Sequence, residues 1–133
     1  GLMKQSLTTL ILADPTVSGL IGDRLFWKLM EPSAQMPRLI LHTISSVTDY
    51  RMSGPTGLIN TRIQADCFGG TYAQAESLAS ALMTLLSGYR GTVGTTLFEG
   101  VFHESTRDIF EDDDSPSDIF GVSLDLTIWH KET

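Results

Sequence analysis

The chain has 133 residues, 41% of them hydrophobic, and its 16 acidic and 9 basic side chains give a formal charge of −7. That length fits one domain spanning 1–133 around one core, and the longest apolar runs, 10–13 and 39–41, fall far short of the roughly 18 residues of a membrane-crossing helix. The acidic balance argues against a protein that grips a phosphate backbone. No basic-then-apolar leader opens the chain, and Cys67, the only cysteine, excludes an internal disulfide and suits a reducing compartment.

Met3, Leu7, Leu10 and Ile11 recur at helical spacing, which predicts a short N-terminal helix with Lys4, Ser6 and Thr9 outside. Asp14-Pro15 starts a second one: Asp is a good N-cap, and Pro suits the first helical position because the N–H it lacks would have no partner there. Val17, Leu20 and Ile21 give that helix its buried side and Gly22 ends it. Residues 25–28 read as a first short strand and 31–37 as a loop. Residues 38–50, β-branched and free of Gly and Pro, read as a long strand.

After the turn at 53–57, Ile59, Thr61, Ile63, Ala65 and Cys67 alternate with Asn60, Arg62, Gln64 and Asp66, the period of a strand buried on one face. The two strands form a long hairpin. Thr71 and Gln74 then make a capping-box pair. Tyr72, Ala75, Leu78, Ala79, Leu82, Leu85 and Leu86 lie in one apolar stripe, which predicts the longest helix, ended at Gly88. A Gly/Thr-rich connection follows, then one or two strands over 97–110, an acidic loop and a last strand with Phe120, Val122, Leu124, Leu126 and Ile128 on one side. The expected class is α+β: an antiparallel sheet of four or five strands, with one long helix and two short N-terminal helices on one face.

Chemistry-bearing groups are sparse. His42, His103 and His130 stand far apart with no ligand-like spacing, which reads as ordinary strand histidines rather than a zinc site. Cys67 alternates with the buried positions and reads as a small hydrophobe of the core. Gly88, Gly91 and Gly94 follow a helix instead of opening one, and no Gly-Lys pair occurs, so a phosphate loop has no support.

Two segments are candidate functional sites. Tyr50, Arg51, Met52 and Pro55 at the hairpin turn have the side-chain types enriched where proteins meet, with a plain surface turn as the alternative. Glu111, Asp112, Asp113, Asp114 and Asp118 form the acidic loop. It fails the helix-loop-helix calcium pattern, since the sixth and twelfth residues from Asp112 are Ser117 and Ser123. A solvated loop is its plain reading; a weak cation site and a functional surface are the others.

Several stretches together resemble one family. Residues 11–17 (ILADPTV) and 20–26 (LIGDRLF) resemble the opening of the phage tail completion or tail terminator proteins. Residues 49–58 and 62–68 look like their central hairpin, 71–75 (TYAQA) the start of their long helix, and 107–110 with 122–130 their closing strands.

The resemblance covers nearly the whole chain. It implies a virion protein made in the bacterial cytoplasm and assembled as a ring, typically of six subunits. Such a ring caps the tail tube, meets the major tail tube protein and the head connector or head-completion protein, and lets DNA pass without specific binding. It implies no catalysis and no cofactor; no metal site and no membrane partner are expected from the residues themselves. The rival readings are another small neck or tail-tube component, an acidic binding protein, and a metal-dependent enzyme using His42, His103 or His130 with the acidic loop.

Overall fold

The computed structural model describes residues 2–27, 36–49, 57–109 and 120–132. Helix α1 spans Leu2–Ala13 and α2 spans Pro15–Ile21. Strand β1 covers Leu25–Trp27, β2 Arg38–Asp49 and β3 Leu58–Gly69. Helix α3 covers Tyr72–Leu86, followed by β4 at Gly91–Val93, β5 at Thr96–Ile109 and β6 at Phe120–Glu132.

The local signals act as their chemistry suggests. Asp14 accepts a hydrogen bond from the Val17 N–H at 3.0 Å, and Gly22, at φ 62°, closes α2 with its N–H on the Ser18 carbonyl. Thr71 caps α3 by accepting from the Gln74 N–H at 3.1 Å. The Gln74 side chain reaches back one residue further than a capping box requires, accepting from the Gly70 N–H at 2.8 Å.

The strands form one curled sheet in the order β1-β2-β3-β6-β5-β4. Across its middle, Leu39, Cys67 and Val122 stand at one level and Leu41, Ala65 and Leu124 at the next; Ile63 and Leu126 follow, then Thr61 and Ile128. These core-facing residues are at most 4% exposed. Ala75, Leu78, Ala79, Leu82 and Leu86 of α3 complete the core with Met3, Leu7 and Ile11 of α1 and Val17 and Ile21 of α2. All three helices therefore pack on the same face of the sheet.

The sheet corrects the expected fold in three respects. It has six strands, not four or five, because the Gly/Thr-rich connection contains β4, which pairs with the start of β5 at Gly91–Phe98 and Val93–Thr96. It is mixed, not antiparallel: β1 runs parallel to β2, Leu25 beside Leu39 and Trp27 beside Leu41. And α3 is not alone as a long helix, since α1 has 12 residues to its 15. Ser6 also turns inward, 8% exposed, to donate to Thr96 Oγ1 at 2.9 Å; that bond fastens α1 to the β4–β5 turn. The Trp27 indole N–H bonds Thr8 Oγ1 at 2.9 Å under the Lys4 ammonium and fastens α1 to β1 at the opposite edge.

Candidate functional site

Among the described residues no helix covers the other face of the sheet, and its side chains are mostly polar. Across the strands it presents Ile40, Asp66, Ser123 and Arg107 at one level, then His42, Gln64, Asp125 and Ser105, then Ser45, Arg62, Thr127 and Phe102, then Val47, Asn60, Trp129 and Gly100. Small and short groups on the two central strands lie beneath longer neighbours, so Ser123 is 1% exposed and Asp66 8%.

The charges on this face largely satisfy one another. Asp66 meets His42 Nε2 at 3.2 Å and accepts from the Gln64 amide at 3.0 Å. Asp125 accepts from the Ser105 hydroxyl at 2.7 Å and the Arg107 guanidinium at 2.8 Å. The Ser105 bond first, then the charges of Arg107 and Arg62, hold the Asp125 carboxyl below its usual pKa against the opposing effect of burial. Such a surface is polar yet locally neutral. It carries charges of both signs, the exposed Arg62 among them, and suits contact with water or with another polar surface.

The histidines do not converge. His42 is on this open face, while His103, bonded to Thr106 at 2.6 Å, stands beside Leu126 on the level facing the helices. His130 is 4% exposed with Nε2 2.8 Å from Thr61 Oγ1, and burial lowers its pKa. Among the described residues no three His, Cys, Asp or Glu side chains gather to hold a metal ion. Cys67 lies buried in the core, where desolvation first and the neighbouring Asp66 charge second push its thiol pKa far up. It is an unreactive packing group.

The residues singled out in the sequence, Tyr50, Arg51, Met52 and Pro55 of the turn and Glu111, Asp112, Asp113, Asp114 and Asp118 of the acidic loop, lie outside the described residues. The strand ends that carry them are described. Asp49 pairs with Leu58 at one end of the sheet, where β6 finishes. Ile109 pairs with Gly121 at the other end, beside Arg38 and Phe68. The two segments therefore join the sheet at opposite ends of its strands. Sequence reasoning did not single out the open face, because alternating polar residues mark any wet strand face and do not say which one stays uncovered.

A solved chain described as part of the "Virion of native gene transfer agent (GTA) particle" has a similar fold. It superposes with a TM-score of 0.72 at 11% identity, over 97% of this chain and 94% of that one. No curated protein matches the sequence. The family model described as "Tail completion protein gp17" matches residues 5–131. By that match the chain belongs to the tail completion protein gp17 family, structural proteins of the phage tail and hence of the virion.

Proposed function

We propose that this chain is the subunit of a ring that closes the end of the phage tail tube and forms its joint with the head connector. The observation that carries this reading is the tail completion match over residues 5–131. The fold shared with a chain of a gene transfer agent virion agrees with it. The proposed ring holds six copies, contacts the major tail tube protein on one side and the head connector on the other, and passes DNA without binding it specifically. Its work is assembly, not catalysis.

Within this reading the turn residues Tyr50, Arg51, Met52 and Pro55 are a contact with a partner or a neighbouring copy. The acids Glu111, Asp112, Asp113, Asp114 and Asp118, repeated around a ring, form a negative rim that repels passing DNA or docks a basic partner.

The test is electron microscopy of particles made without this protein, beside labelling of the protein in complete particles. Tails that fail to join heads, with label confined to the head-proximal end of the tube, are the expected outcome. Label distributed along the tube would make it a tube component instead.

A further inference from the structure

We infer that copies of this chain join head to tail by strand pairing, the outer edge of β2 at 42–45 in one copy lying against the outer edge of β5 at 102–105 in the next. The inference rests on the ring reading and supplies its joint. Among the described residues both edges are open over these stretches. β1 covers β2 at Leu39–Leu41, while β4 covers β5 at Thr96–Phe98 and the Gly88 N–H takes the Val101 carbonyl at 2.8 Å. Beyond those points no described strand pairs with either edge, and backbone N–H and C=O groups facing outward there are the usual template for adding another strand.

The two edges match in polarity. β2 is antiparallel to β3, β3 to β6 and β6 to β5, so β2 and β5 run in opposite directions at opposite sides of the sheet. A rotation about an axis parallel to the strands leaves every strand direction unchanged and keeps the helices on the same side. It therefore sets β5 antiparallel to the next copy's β2. Such a contact uses two different surfaces, and repeated by rotation it closes into a ring.

The edges also match in shape. β2 has a bulge between Thr43 and Ser45, and β5 has one between His103 and Ser105. Thr43, Ile63, Leu126 and His103 share one level, so both edges bend within one residue step of the same height. The bulges leave the ladder in short runs, which disfavours pairing with an arbitrary flat strand and favours the edge that bends with it.

The exposed apolar side chains complete the match. Ile44 is 56% and Val47 63% exposed on the β2 edge, and Phe102 is 50% exposed on the β5 edge. The Phe102 ring lies over Gly100, where a Cβ would come within 2.9 Å of it. Gly100 shares its level with Val47 through Trp129 and Asn60, so edges joined without stagger bring the Phe102 ring against Val47 of the next copy.

The experiment compares full-length wild type with Val47→Glu and Phe102→Glu by native mass spectrometry over rising concentration, with melting curves to confirm the fold. Wild type should form a closed oligomer, and each variant should need at least about tenfold more protein to do so while melting as wild type does. Mixed together, the two variants should stop at heterodimers, because each keeps the edge the other has lost.

Closed rings in both folded variants would overturn the strand-edge joint and leave the ring standing. Dimers from Phe102→Glu alone would show a two-fold β2 contact and overturn it as well. If wild type itself formed no closed oligomer at any concentration, the ring reading would fall and take this inference with it.

Discussion

Gly69 ends β3 directly beneath the first turn of α3, and the two elements meet there at backbone distance. A Cβ built on Gly69 would sit 2.6 Å from the Gln74 Cβ, 2.7 Å from the Ala75 nitrogen and 2.9 Å from the Thr71 carbonyl oxygen. Two of these three neighbours are main chain, and the Gly70 and Gln74 hydrogen bonds fix the same turn. Relief therefore requires moving the helix away from the sheet. Overpacking of this kind costs about 1–3 kcal/mol, and with backbone as the obstacle Gly69→Ala should fall at about 2–3 kcal/mol.

For a chain of this size that lowers the melting point by roughly 6–15 °C. Gly70→Ala is the internal control, since its Cβ would meet only the flexible Gln74 Oε1, at 3.4 Å. With no left-handed φ to strain, it should lie within about 1 kcal/mol of wild type, on the stabilising side. Thermal and urea unfolding of the three proteins reads the difference. Equal stability of Gly69→Ala and Gly70→Ala would refute the close approach of β3 to α3.

Further expectations concern the core, the buried histidine and the acidic loop. Ala75 is fully buried, so Ala75→Asp should cost at least about 3 kcal/mol by stranding a carboxylate. Ala79→Asp should cost less, because Ala79 borders a groove lined also by Thr106 and Asp108 through which the carboxylate can reach water; urea midpoints of the two variants decide the order. His130 has its pKa lowered below 6.5 in the fold, chiefly by burial, against a smaller opposing pull from Glu132. Unfolding therefore takes up a proton, and stability should decline as pH falls through 6.5 and below. Melting points from pH 8 to 5 should show that slope, and it should flatten in His130→Gln. If the acidic loop is solvated, as its sequence reads, replacing Asp112, Asp113 and Asp114 together by Asn should leave the melting point within about 2 °C, while changing infectivity or the salt dependence of docking in a complementation assay.

Much of the interior was legible because periodicity and burial are the same fact seen twice. The alternation from Ile59 to Cys67 gives Ile63, Ala65 and Cys67, and the stripe from Ala75 to Leu86 gives the face of α3 that covers them. Sheet topology was less legible. Alternation says which way side chains point and nothing about chain direction, so the parallel pairing of β1 to β2 leaves no mark in Leu25, Phe26 or Trp27. Gly91, Thr92 and Val93 look like a connection by composition, and they form a strand because β5 and α1 hold them in place. Ser6 looked like a wet helix position, and its inward turn depends on Thr96, 90 residues later. The uncovered sheet face was illegible for the same reason: which face stays open is set by where all three helices dock.

The direction of the strands relates the two proposals about assembly. If the edges of β2 and β5 join neighbouring copies around an axis parallel to the strands, the ends of those strands become the two rims of the ring. The Asp49–Leu58 end carries the turn with Tyr50, Arg51, Met52 and Pro55, and the Ile109–Gly121 end carries the acidic loop. One rim then gains an aromatic and arginine-bearing contact repeated in every copy, and the other gains repeated carboxylates. On the proposed function, a ring that meets a tail tube on one side and a head connector on the other would need two chemically different rims. The antiparallel order of β2, β3, β6 and β5 supplies them, because each hairpin turns at the end opposite to the next connection.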